Sequence, residues 1–195
     1  MKRLLLDVDG VIADFPQLFL NAAEAVLDRK FDVTTKDITD WEMADTLKLG
    51  KKDRERVYRF IDRPNMAYMM NDYPGSVEAV KRLYKMATVV FVTTPFATNP
   101  TWTFDRDRWL VERFGKELGR RVIHTSLKYM VSGDVFVDDK PANVDKWRES
   151  HPAGIALLWD QPYNQKSKLP RAFNWRDVEN MLKASRGQSP LLEDT

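Results

Sequence analysis

The chain of 195 residues is 43% hydrophobic and 31% charged, with 31 basic side chains against 29 acidic ones and a net charge of +2. Such a composition describes a soluble globular protein, and the charge balance makes no case for nucleic acid or a membrane surface as the main partner. The absence of cysteine excludes disulfides, thiolate–zinc sites and a thiol nucleophile.

This length predicts one domain with room for a modest insertion. The opening MKRLLLDVDG holds an apolar run too short for a signal peptide or a membrane span, so a cytoplasmic protein is expected. Residues 3–8 read as a buried strand cut off by Asp and Gly. Phe15, Leu18, Phe19, Ala22, Ala25, Val26 and Arg29 recur at helical spacing, which predicts a helix next. From residue 31 to 74 the chain is rich in charge and in Met, Trp and Tyr, with no convincing buried strand. Within it KKDRERVYRFID, residues 51–62, predicts a basic amphipathic helix ended by Arg63-Pro64.

After the turn Tyr73-Pro74-Gly75, Ser76 is the expected N-cap of a helix whose apolar face carries Val77, Val80, Leu83 and Tyr84. TVVFV, residues 88–92, is a second buried strand and stops at Thr93-Thr94-Pro95. A loop leads to a helix around residues 105–114, and residues 121–124 form a short strand. DVFV, residues 134–137, is a clearer strand and stops at Asp138-Asp139. A helix over 142–149, a strand over 154–159 and a helix over 176–184 complete the series, and the tail RGQSPLLEDT is expected to be loose. Alternating strands and helices imply an α/β fold: a three-layer, Rossmann-like, mostly parallel sheet. Ligands bind such sheets at the carboxyl ends of strands, so the ends DVD, TT and DD should meet at one edge.

Asp7 and Asp9, two positions apart, would share one face if their strand continued, and Gly10 lets the chain turn just beyond them so that both reach one pocket. With Asp138 and Asp139 arriving from another strand, so much negative charge in a cleft calls for a cation. An all-oxygen donor set suits a hard ion, Mg²⁺, which usually shares its shell with substrate phosphoryl oxygens.

DVDGV, Thr93 after TVVFV, Lys128 and VDD at 137–139 fall in the order that resembles the haloacid dehalogenase superfamily of phosphotransferases. DVDGVIADF, YPGSVEAVKRL, VFVTTP and SLKYMVSGDVFVDDKPAN are similar to the 5′(3′)-deoxyribonucleotidase family within it. The resemblance implies Asp7 as nucleophile, forming an aspartyl-phosphate, and Asp9 as general acid and then base. It implies Thr93, with Thr94 beside it, and Lys128 as phosphate-binding groups. The metal would be held by Asp7, Asp9 (through its backbone carbonyl) and Asp139, with Asp138 as a second ligand or an orienting group. The family's core would then span residues 1–15 and 74–188, with a helical cap over 16–73 inserted after the first strand and a loose tail over 189–195. Phe15 and Trp41, in ITDWEM, are the implied base contacts; Tyr58, Phe60 or Tyr68 stand where relatives carry another cap tryptophan.

Each signal has a plainer reading. DxDG alone could be a loop or a calcium site, Thr93 could satisfy local backbone, Lys128 could be a solvated surface residue, and Trp41 could pack inside the cap. His124, Trp102, Trp109 and Trp147 are expected to be structural, and the basic run over 48–63 a wet helix face. The expected partner is a small-molecule nucleotide, with no polymeric nucleic acid and no membrane; a homodimer is left open. The rivals are a phosphatase of another small ester such as a sugar phosphate, a silent phosphate-binding module and, more remotely, a polynucleotide end-processing enzyme.

Overall fold

The computed structural model describes residues 1–187. Six strands, β1 (Arg3–Leu6), β2 (Thr88–Thr93), β3 (Val122–His124), β4 (Val135–Asp138), β5 (Ile155–Trp159) and β6 (Arg171–Ala172), form one sheet in the order β3-β2-β1-β4-β5-β6. Every pairing is parallel, with Leu4 opposite Val89 on one side and Val135 on the other. Strand alternation divides the core. Leu4, Leu6, Val89, Phe91, Val135, Val137 and Leu157 enter one apolar cluster; Leu5, Val92, Phe136, Ala156 and Leu158 enter the other. A sheet buried on both faces is why these strands read as unbroken apolar runs.

The helices are α1 (Phe15–Leu27), α2 (Met43–Thr46), α3 (Lys51–Ile61), α4 (Ser76–Tyr84), α5 (Trp102–Gly119), α6 (Pro141–Ser150) and α7 (Trp175–Gly187). Val80, Leu83, Trp109, Leu110, Val178 and Leu182 of α4, α5 and α7 pack in the first cluster, and Val144 and Trp147 of α6 in the second, so the sheet is covered on both faces. Between β1 and α4 the chain adds no strand to this sheet. It holds α1 packed on α3, and it leaves and returns side by side: Asp14 N donates to Asn71 O and Tyr73 N to Ile12 O, both at 2.8 Å.

Local differences from the sequence reading have local causes. Asp14 caps α1 by accepting from Gln17 N at 3.0 Å, and the helix ends at Asp28, which is left-handed with φ of 50°. Its buried residues are Pro16, Phe19, Leu20, Ala22 and Ala23, so the face is turned from the expected one and Ala25 is exposed. Ser76 is not the cap of α4; Gly75, at φ of 77°, takes that position, and the Ser76 hydroxyl reaches Ile12 O at 3.3 Å. Helix α5 begins three residues earlier than expected, at Trp102, and Gly115 kinks it. Arg186 and Gly187, expected in the loose tail, belong to α7, while residues 188–195 lie outside the described residues. No helix among the described residues is long and apolar enough to cross a membrane.

Candidate active site

The chain runs β1, β2, β3 outward in one direction and β4, β5, β6 in the other, so the order reverses between β1 and β4. Loops diverge at such a switch point and leave a crevice beyond the strand ends. Asp7 follows β1, Asp138 ends β4 and Asp139 follows it, so two neighbouring strands deliver three carboxylates to one place. All three are buried, and each offers an oxygen within 4.8 Å of the others.

The turn after β1 is tight. Val8 O accepts from Ile12 N and Ala13 N, both at 2.8 Å, and Gly10 adopts φ of 76°. A Cβ at Gly10 would lie 2.0 Å from Asp139 Oδ2, so this glycine is required both for its backbone and for the close approach of the Asp139 carboxylate.

Lys128 sits on the single helical turn Lys128–Met130 and is 3% exposed. Its Nζ lies 2.7 Å from Asp7 Oδ1 and 2.7 Å from Asp138 Oδ2. Asp138 is further held by Lys140 N at 2.8 Å and by Asn143 Nδ2 at 3.1 Å. Tyr163 donates its hydroxyl to Asp139 Oδ2. Burial, then the charge of Asp138, pushes the Asp7 carboxyl well above the usual carboxylate range, with Lys128 pulling it back. Burial and then Asp138 likewise raise Asp139 to about 7, against the Tyr163 hydrogen bond. Burial disfavours the Lys128 ammonium, yet Asp138 and Asp7 outweigh it and hold the group above the usual lysine value. Three carboxylates against one ammonium leave an excess of negative charge. An all-oxygen set carrying that excess fits a hard divalent cation.

Asp9, two residues on, is engaged differently. Arg106 of α5, fully buried, donates to Asp9 Oδ1, and Thr93 Oγ1 lies 3.4 Å from Asp9 Oδ2. The Arg106 guanidinium lies 5.2 Å from the Trp109 ring and 5.8 Å from the Trp102 ring. Above the carboxylates opens a cavity of about 330 Å³ lined by both acids and aromatic rings. Phe15, Trp41, Tyr58, Phe96 and Trp102 form its apolar wall, with Phe96 stacked on Tyr58 at 6.1 Å and tilted against Trp102 at 5.3 Å.

A family model described as 5′ nucleotidase, deoxy (Pyrimidine), cytosolic type C protein matches residues 1–188. The chain belongs to this family. Membership makes it a phosphoric monoester hydrolase by family. It is 28% identical over 182 residues to the human mitochondrial 5′(3′)-deoxyribonucleotidase, covering 90% of this chain and 79% of that protein. The human cytosolic-type 5′(3′)-deoxyribonucleotidase is 25% identical over 193 residues, 95% of each chain. A haloacid dehalogenase-like family hydrolase of Xanthomonas campestris superposes with a TM-score of 0.57 at 15% identity, covering 96% of this chain and 95% of that one, which shows the shared fold.

Within this nucleotidase-family chain the residues expected from sequence converge on one crevice. Asp7, Asp9, Lys128, Asp139 and Thr94 line the cavity, and Asp138 and Thr93 lie buried beneath it. Thr94 turns its hydroxyl to Thr125 O at 3.1 Å. The Asp9 carboxylate, expected as an acid–base group with only its backbone carbonyl on the metal, stands outside the three-acid cluster and pairs with Arg106. Phe15 and Trp41 both line the cavity; Trp41 is 49% exposed and packs edge-on against Tyr163 at 5.5 Å. Of the three cap alternatives, Tyr58 reaches the cavity. Trp109 and Trp147 are core residues as expected, but Trp102 is both buried and part of the cavity wall. His124 pairs with Asp107 at 2.8 Å. Arg106, Asn143, Tyr163, Phe96 and Glu42 were not singled out from sequence as site residues.

Proposed function

We propose that the chain is a Mg²⁺-dependent phosphatase of deoxyribonucleoside monophosphates that works through an aspartyl-phosphate on Asp7. The observation that carries this is Lys128 clamped between Asp7 and Asp138 at the sheet's switch point, beside a separately held Asp9 and under an aromatic wall. Asp7 Oδ1 accepts from Lys128 and, at 2.7 Å, from Val8 N; among the described residues no donor is shown at Oδ2. That oxygen attacks phosphorus, and the bond from phosphorus to the ester oxygen breaks. Asp9 protonates the departing nucleoside hydroxyl, then takes a proton from the water that cleaves the aspartyl-phosphate, releasing phosphate and restoring Asp7. Arg106 and Thr93 keep Asp9 aimed at this position, and Lys128 lets two anions approach each other. Mg²⁺, held by Asp7 and Asp139, would neutralise charge on the phosphoryl oxygens. Asp138, whose oxygens are already taken by Lys128, Lys140 N and Asn143, orients the lysine.

The substrate reading rests on the wall and on the family. Stacked and tilted rings offer a base a π-face, and the named human relatives are deoxyribonucleotidases. Residues 16–73, leaving and returning side by side, act as a cap over the phosphoryl site. A panel of deoxyribonucleotides, ribonucleotides and sugar phosphates with Mg²⁺ is expected to show the highest kcat/KM for deoxyribonucleotides. Turnover confined to sugar phosphates would remove the nucleotidase reading.

Protons and a divalent cation compete for the same oxygens. Because the folded-state values of Asp7 and Asp139 are raised, protonation stabilises the metal-free protein at low pH. That contribution fades as pH climbs from the ordinary carboxylate range through about 7. Mg²⁺ is therefore expected to raise Tm more at about pH 8 than at about pH 5. An equal increase at both values would place the ion elsewhere.

A further inference from the structure

Glu42 is a carboxylate in the aromatic wall that phosphoryl chemistry does not use. It precedes α2, yet its side chain makes no capping hydrogen bond to that helix. The Tyr58 hydroxyl donates to its Oε1, while the neighbouring Arg54 guanidinium, paired with Asp45 at 2.6 Å, acts on it by charge without a hydrogen bond shown to it. Burial and the neighbouring Glu42 keep the Tyr58 phenol protonated far above neutral pH, so the tyrosine is a fixed donor. Glu42 is half-buried, lines the same cavity as Asp7 and Asp9, and stands among Phe15, Trp41, Tyr58 and Phe96. An ionised carboxylate only accepts hydrogen bonds. With Oε1 taken by Tyr58, no hydrogen-bond donor is shown at Oε2 among the described residues, and the residue lines the ring-walled cavity.

We infer that Glu42 is the residue that selects the base, favouring nucleotides whose base edge presents an amino group. Cytosine offers its N4 amine to Oε2, whereas uracil and thymine present a carbonyl oxygen at the same place and meet a like-charged acceptor. The aromatic rings hold any base by its face and cannot make this distinction; the carboxylate reads the edge. Tyr58 serves both purposes, as part of the apolar wall and as the clamp that fixes the carboxylate's orientation. This inference rests on the nucleotide reading above.

dCMP and dUMP isolate the group in question. A hydrogen-bonded pair of this kind contributes about 1–3 kcal/mol of discrimination, so the wild-type kcat/KM ratio of dCMP to dUMP is expected at roughly 5- to 150-fold. Glu42→Gln keeps the shape but supplies both a donor and an acceptor, and should bring that ratio close to one, mainly through KM. Tyr58→Phe leaves the carboxylate but frees its orientation, and should shrink the ratio without inverting it. Equal kcat/KM for the two nucleotides in the wild type, or an unchanged ratio in a folded Glu42→Gln, overturns the role of Glu42 while the nucleotidase reading stands. If Glu42→Gln does not fold, an unchanged ratio in Tyr58→Phe does the same. Failure to hydrolyse both dCMP and dUMP while other deoxyribonucleotides are turned over overturns the role of Glu42 alone, and turnover confined to sugar phosphates overturns both readings together.

Discussion

Asp7→Asn should lower turnover by on the order of 10⁴-fold or more, because in the proposed mechanism it removes the nucleophile and leaves only binding and electrostatic assistance. The amide is nearly the same shape, and its oxygen can still accept from Val8 N and Lys128, so the pocket need not rearrange. Stability should not suffer. The raised Asp7 pKa says that the buried charged form is penalised, chiefly by burial and by Asp138. Exchanging that carboxylate for a neutral amide relieves part of the penalty, and Tm near neutral pH should be equal to or above that of the parent. The combination of lost turnover with retained melting separates chemistry from folding. Phosphate release by Asp7→Asn at the parent's rate would mean that another group attacks phosphorus.

The fold was legible because its strands are short, apolar and closed by polar residues. LLLDVDG, TVVFVTT and DVFVDD each announce a buried strand and the functional edge where it ends. The same three endings, with Lys128, carried the site, since chemistry at a parallel sheet gathers at carboxyl ends. Strand β6 was missed because two residues cannot show a period. Ser76 was misplaced because a left-handed Gly75 can end the preceding turn as readily as a serine can begin the helix. Arg106 was the larger omission, lost among the charges of FDRDRW. A signal was present: Trp102, Arg106, Trp109 and Leu110 share the buried face of α5, and an arginine inside an apolar stripe needs an anionic partner. Which anion it meets depends on how α5 docks against the sheet, and no local pattern encodes that. Tyr163 and Asn143 were hidden for the same reason: each meets its aspartate only when a separate segment, the turn after β5 or the start of α6, folds back over the strand ends.

Lys128→Met tests the arrangement on which both stability and chemistry depend. Methionine fills the apolar part of the lysine's space but leaves Asp7, Asp138 and Asp139 crowded with no cation among them. Removing one partner of a buried ion cluster costs about 3–5 kcal/mol, which for a chain of this size lowers Tm by on the order of 10 °C. The loss should depend on pH with a definite sign. Carboxylates deprived of their ammonium bind protons more readily in the folded state, so the variant's deficit is large at about pH 8 and shrinks towards about pH 5, where they are neutralised. Mg²⁺ should recover part of the deficit at high pH, because a divalent ion at the same oxygens replaces the missing charge. Turnover should stay depressed by on the order of 10²–10³-fold even when Mg²⁺ restores the fold, since no ammonium then meets the incoming phosphate. The double variant Lys128→Met/Asp138→Asn removes one of the stranded charges and should melt above the single variant. If Lys128→Met melted like the parent at about pH 8 and neither Mg²⁺ nor Asp138→Asn changed it, the lysine would not be the counter-ion of these acids, and the electrostatic basis for the phosphatase would be lost with it.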